Sequence, residues 1–188
     1  MKEILFLLFT AFAVSADSFA LGVSVAFSPF FPTLKSRLHA VSVVIPVVFF
    51  MCVFLALAGT EISAALSDAL NQTGGALLLA IGVYSAKEAA AFQKASAFLR
   101  PEKKPTALLL LGMGFGIGTD GSLACLSLVL SGYPVLSSVL AVVFFHFLLI
   151  TAGIFLPSSG RKKTPVLQRL LPAALLVLLG TLRICGDF

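Results

Sequence analysis

AVSADSFALGV, residues 13–23, supports two incompatible readings. Preceded by MKEILFLLFTAF, the triplet Val14-Ser15-Ala16 resembles the small-residue end of a secretory leader, which would make Asp17 the start of a mature chain. In the other reading Asp17 stays in place, as a carboxylate in the middle of an apolar helix long enough to cross a bilayer.

Composition narrows the choice. Of the 188 residues, 59% are hydrophobic and 11% charged, and the mean hydropathy is +1.09; soluble domains hold about 45–50% apolar and about 25% charged residues. The chain therefore reads as an all-α integral membrane protein. The net charge of +5 does not point to nucleic acid, because the basic residues sit in short clusters between long apolar runs, as in cytoplasmic loops. Cys52, Cys125 and Cys185 lie inside apolar runs without CxxC spacing, which leaves them as small core residues rather than a disulfide framework or a zinc site.

A hydrocarbon core takes roughly 20 helical residues to cross. Six predominantly apolar stretches meet that length: 4–27, 40–60, 69–91, 106–131, 134–156 and 168–186. Pro29, Pro32, Pro101, Pro105, Pro134 and Pro157 punctuate them, as expected of residues that end helices. Eleven of the 13 Lys and Arg residues fall in or beside the first, third and fifth linkers, including KASAFLRPEKKP and SSGRKKTP. The positive-inside rule places those linkers in the cytoplasm, where they can also meet anionic lipid, and both termini outside. A leader enters with a positive amino end inside, whereas here Lys2 is offset by Glu3 and the apolar run continues past Ala16. Asp17 is thus read as an intramembrane residue of a multi-pass protein.

The two halves of the chain echo each other. LLFTAFAVSADSFALGVSV (7–25) aligns without a gap to LLGMGFGIGTDGSLACLSL (110–128), pairing Asp17 with Asp120. Further on, Val47-Val48-Phe49-Phe50 echoes Val142-Val143-Phe144-Phe145, which pairs Met51 with His146. The third segments share Ala76-Leu77-Leu78 with Ala174-Leu175-Leu176. Three spans per half invert the second half relative to the first. The expected architecture is one membrane domain, 1–188, with a first three-helix repeat over 1–92, a cytoplasmic linker over 93–105 and a second repeat over 106–188. Inverted repeats of this kind carry a substrate site near the midplane at their interface.

A charge at the bilayer centre costs on the order of 2.5–3.5 kcal/mol even on the lenient insertion scale, so an acid there has a role to fill. Helical spacing puts Ala13, Asp17, Ala20 and Ser24 on one side of the first span, and Gly116, Asp120, Ala124 and Ser127 on one side of the fourth. Both sides are expected to face a tight seam. Two carboxylates would be neutralised by one divalent cation, and oxygen donors suit Mg²⁺, Ca²⁺ and Mn²⁺. Asp17 and Asp120 are therefore the first candidate ligands. Ser15, Ser18 and Thr119 follow, with carbonyls freed by local unwinding at Gly116, Gly118 and Gly121. Without metal, two neighbouring buried acids favour retaining a proton, so proton-for-metal exchange is a natural coupling. The same acids could instead be polar clamps between helices, or a proton relay that binds no metal.

His146, near the middle of the fifth span, is a further candidate as ligand or proton acceptor; a hydrogen-bonded packing role fits it equally. Glu61 and Asp68 are read as solvated residues of an outer linker, and Lys87 and Glu88 as residues at the cytoplasmic end of the third helix. GIGTDG (116–121) matches GxGxxG, but a dinucleotide site needs a βαβ unit and an acid about twenty residues on. The next acid is Asp187. Close helix packing or a broken helix explains those glycines better.

AFAVSADSFALGV resembles the first-helix signature of the bacterial manganese efflux pump (MntP) family, and the six-span, two-half layout with an acid in the first and fourth helices fits that family along the chain. The resemblance implies a small exporter of Mn²⁺ in the bacterial plasma (inner) membrane, with Asp17 and Asp120 important for transport. The same signature is similar to that of YtaF-type sporulation membrane proteins. Three functions remain: export of a divalent cation, export of an amino acid or similar small solute, and a non-transporting scaffold or sporulation role. No ATP-binding motif and no nucleophile–base pair is recognisable, so an enzyme is not expected, nor a cofactor other than the cation as cargo.

Overall fold

Backbone groups in hydrocarbon find no water to bind, so an apolar chain crosses a bilayer by bonding to itself, as helix. The computed structural model describes residues 2–28, 30–65, 70–95, 107–155 and 166–185, and nearly all of these are helical. The first span consists of two pieces, α1 (Lys2–Val14) and α2 (Ala16–Phe27). They are followed by α3 (Leu34–Ala65), α4 (Leu70–Ala95), α5 (Ala107–Leu130), α6 (Val135–Phe155) and α7 (Val166–Cys185). No strand occurs among the described residues. The basic segments at 96–106 and 156–165, and Asp68, lie outside the described residues.

Each expected span is a helix, but the six are not alike. Four long stretches among the described residues have the length and apolarity to cross a membrane: Glu3–Ala26, Leu34–Ser63, Leu110–Leu130 and Val135–Phe155. In the third helix only the shorter Thr73–Tyr84 is comparably apolar, because α4 runs on into the polar stretch from Lys87. The side chains that face outward are those a bilayer would accept. Phe50, Phe54, Leu136 and Phe144 are all exposed, a surface that in water would be an association hazard.

Helix α3 has 32 residues, about 48 Å at 1.5 Å per residue. It outruns a hydrocarbon core of about 30 Å. Pro46 lies inside it, as Pro172 lies inside α7, whereas Pro32 and Pro134 stand just before helices. A membrane helix tolerates proline where neighbouring groups compensate for the lost bond.

Packing crosses between the halves. The most extensive contact of α3 is with α5, and α6 in return packs on α1 and α2; α4 and α7 pack on each other. Thus the first helix of each half lies against the second helix of the other. Small residues make the crossings close. A Cβ on Gly22 would meet the Ile150 carbonyl, and one on Gly153 would meet the Phe19 carbonyl, so α2 and α6 touch backbone to backbone. On α5, Gly114 seats Val47, Gly118 seats Met51 and Gly121 seats the His146 ring, whereas Gly116 faces open space. Between α1 and α6, Phe12 and Phe145 meet edge to face at 5.8 Å.

The glycine cluster on α5 does not unwind its helix. The expectation that Gly116, Gly118 and Gly121 free backbone carbonyls is corrected by α5, which runs continuously through them. Two of the three serve as contact surface for α3 and α6, and neighbours that close hold a glycine-rich helix in shape.

Substitutions should separate these roles. Gly22→Ala and Gly121→Ala should each lower stability by about 1–3 kcal/mol through overpacking. Gly116→Ala should be neutral, or stabilising by about 0.5–1 kcal/mol, as expected for a helical glycine with free space. Thermal unfolding of the purified protein in lipid nanodiscs measures all three, and equal effects would contradict the packing described.

Candidate functional site

The site is built around a defect. Between α1 and α2, Ser15 is a turn residue at φ −82°, ψ 0°. Its own N–H still reaches the Ala11 carbonyl at 3.1 Å, but the Ser18 N–H turns back to the Ser15 carbonyl at 3.1 Å, three residues away instead of four. One tight turn in an otherwise regular ladder starts a new helix. Its first residues are Ala16, Asp17 and Ser18.

Asp17 exploits that new amino end. Its Oδ1 accepts the Ser18 N–H at 2.7 Å, and the positive end of the α2 dipole favours a negative group there. The carboxylate keeps exposed surface, although surrounding protein strips much of its hydration. Asp17 thus has protein on one side and exposed surface on the other. The charge of Asp120 acts on it, so the two acids lie within electrostatic reach and repel. Asp120 itself is half-buried on the unbroken α5.

The expected inward stripe of the first span is only partly present. Ala13 is buried, but Asp17 and Ser24 are exposed and Ala20 is half-buried. The buried face of the first span instead continues from Ala11 through Ser15 to Ser18, Gly22 and Val25 of α2. On α5 the stripe runs from exposed Gly116 through half-buried Asp120 to buried Ala124 and Ser127. The two acids thus line the edge of a seam, open on one side.

The hydroxyl candidates divide. Ser18 is fully buried and its Oγ has no hydrogen-bond partner, which leaves its lone pairs uncommitted beside Asp17. Thr119 is exposed, and its Oγ1 donates to the Phe115 carbonyl at 2.8 Å. Ser15 turns away from the acids toward α6. Its Oγ lies 2.5 Å from His146 Nδ1 and donates to the Val142 carbonyl at 3.4 Å.

His146 is completely buried. Its Nδ1 lies 2.8 Å from the Val142 carbonyl and 2.5 Å from Ser15 Oγ; a carbonyl can only accept, so in the tautomer that bonds Val142 the proton is on Nδ1. Nε2 meets no partner in hydrogen-bonding geometry, although the Ile117 carbonyl lies nearby, and it faces Gly121 beside Asp120. No three His, Cys, Asp or Glu residues among the described residues form a group that could hold a metal. Cys52 and Cys125 are free and buried, as expected of core residues.

The contact between Ser15 and His146 was not legible in the sequence. The one available hint was Ser15 two residues before Asp17, a helix-start pattern lying inside an apolar run. The repeat alignment pairs Ser15 with Gly118 and His146 with Met51, and in space Gly118 indeed packs against Met51. Corresponding positions touch in both halves, with a polar pair in one and an apolar pair in the other.

Known proteins bear on this geometry through one match. No curated protein and no solved structure matches the chain. Residues 2–86, from α1 through most of α4, match the model of the Mntp family, described as "Putative manganese efflux pump". Over its first half the chain therefore carries the Mntp pattern, which supports the resemblance that AFAVSADSFALGV raised.

Proposed function

We propose that this multi-pass helical membrane protein is a secondary exporter of a divalent cation, Mn²⁺ first among them, and that Asp17 and Asp120 bind the ion. The observation that carries this reading is the approach of two mid-span carboxylates from different halves of the chain. Each is costly alone, and together they repel. One divalent ion cancels both charges, which turns the least favourable pair in the protein into a favourable site. Oxygen donors suit Mn²⁺, and the first-half match to a manganese efflux family supports that choice of cargo.

Six spans arranged as two inverted three-helix repeats would supply the moving parts, with the cytoplasmic linkers and outer termini expected from charge. The reciprocal packing of α3 on α5 and of α6 on α1 and α2 is what such a two-fold produces. An irregular helix whose amino end meets a carboxylate also fits the discontinuous helices of secondary transporters. The cycle begins with the ion entering the seam, where it displaces protons retained by the acids. Rocking of one half against the other then opens the seam to the far side, and protons reload the empty site. Ser18 and Thr119 lie next to the acids in sequence and can add oxygen donors.

Cells expressing the protein should hold less Mn²⁺ than control cells and tolerate more of it. Asp17→Asn and Asp120→Asn should each abolish that effect while still reaching the membrane, as measured by elemental analysis of washed cells. Wild-type-like behaviour of both variants would reject the site. A second measurement tests the open side of the seam: in a background without cysteines, Asp17→Cys should react with a membrane-impermeant maleimide in permeabilised vesicles, and Ser18→Cys should not. An unreactive position 17 would mean that the acid meets lipid rather than water.

A further inference from the structure

We infer that His146 is a positioning residue: through Nδ1 it holds the tight turn at Ser15 that gives α2 a separate amino end, and so sets where the Asp17 carboxylate stands. Its consequence for transport rests on the function proposed above; its structural part does not.

Three atoms close a small ring at the turn. His146 Nδ1 lies within hydrogen-bond distance of both Ser15 Oγ and the Val142 carbonyl, and Ser15 Oγ–H donates to that same carbonyl. All three residues are buried, so no water competes for these bonds and each is stronger than it would be at a surface. The ring cannot swing away, because Gly121 and Val142 pack against one another around it: a Cβ on Gly121 would lie 3.0 Å from Cε1 and 3.3 Å from Val142 Cγ1. Just beyond, Gly22 and Gly153 fix the α2–α6 crossing by backbone contact. The turn is therefore tied to α6 by side-chain bonds at Ser15 and by backbone contact below it.

The Ser15 hydroxyl makes no capping bond within its own helix. A serine in a membrane helix can bond to a carbonyl of its own preceding turn; here it is committed to α6 instead. The second half gives an internal control. At the corresponding crossing Gly118 meets Met51, which offers no such hydrogen bond, and α5 continues without interruption. The break occurs where the hydroxyl–imidazole pair occurs, and is missing where the pair is replaced by glycine and thioether. Two residues past the turn, Asp17 binds the Ser18 N–H that the turn presents.

Side-chain geometry separates this role from a role for Nε2 as ligand or proton carrier. Asparagine places an amide N–H near the position of Nδ1, glutamine near that of Nε2, and leucine replaces neither. We expect His146→Asn to keep the turn, and His146→Gln and His146→Leu to loosen it. The readouts are hydrogen exchange over residues 14–19 of the full-length protein in nanodiscs, and Mn²⁺ transport into inverted vesicles. Exchange should be faster in the Gln and Leu variants and near wild type in Asn. Their apparent KM for Mn²⁺ should rise on the order of 10–100-fold, the range typical of residues that orient metal ligands, with a smaller change in kcat.

Ser15→Ala removes one oxygen, leaves the ring in place, and should behave as His146→Leu does; it carries the test should the Leu variant fail to fold. Wild-type exchange in both Ser15→Ala and the Leu variant would overturn the inference, as would a functional Gln variant beside a defective Asn variant, which would assign the role to Nε2. If exchange follows the expected order but wild-type protein moves no Mn²⁺, the turn-holding role stands and the transport reading falls. If wild type transports and no variant alters exchange or KM, the reverse holds.

Discussion

Two acidic side chains, Asp17 and Asp120, lie within electrostatic reach of each other in two long apolar helices, and the rest of the structure is organised around that pair. A carboxylate in hydrocarbon is costly, and the Coulombic action of Asp120 on Asp17 adds to that cost. The fold lowers it locally by giving Asp17 an N–H to accept from and the amino end of a twelve-residue helix to stand on. That arrangement needs an interruption in the first span, and an interruption in hydrocarbon needs its polar groups satisfied by a neighbour. The α6 helix meets that need with His146 and the Val142 carbonyl.

Packing density follows from the same requirement. A neighbour can serve a buried turn only if it comes close, and α2 and α6 come within backbone contact because Gly22 and Gly153 have no side chains. Without a hydrophobic drive between helices in lipid, such contacts and interhelical hydrogen bonds hold the bundle. The Ser127 hydroxyl donates to the Gly74 carbonyl at 2.6 Å, tying α5 to α4 in the same manner. Phe50, Phe54 and Phe144 are left on the outside, as exposed side chains.

The two halves share positions but not chemistry. Position 15 touches 146, and 118 touches 51, as the alignment pairs them. Only the first contact is polar, and only the first helix is broken. Aligned positions of the two halves thus touch in both, and one half presents its carboxylate from a helix end. The other half presents Asp120 from a continuous helix. Half-buried there, that acid lacks a helix amino end beside it.

Sequence alone determined the helical class, the positions of the long helices to within a few residues, and the pairing of Asp17 with Asp120, because hydrophobic run length and a repeated acid are properties of the chain read in order. It placed the interruption at the glycines of α5, whereas the structure has it at Ser15. The reason is distance along the chain: the interruption at Ser15 lies against a histidine 131 positions away. Glycines signal that a helix can bend or pack closely, and only the neighbours decide between the two. On α5 Val47, Met51 and His146 fill the space and keep the helix straight; at Ser15 a hydrogen bond to another helix outcompetes the local ladder. Contacts between residues so far apart in the chain leave no periodicity to read, so the tertiary structure alone decided the shape of the site.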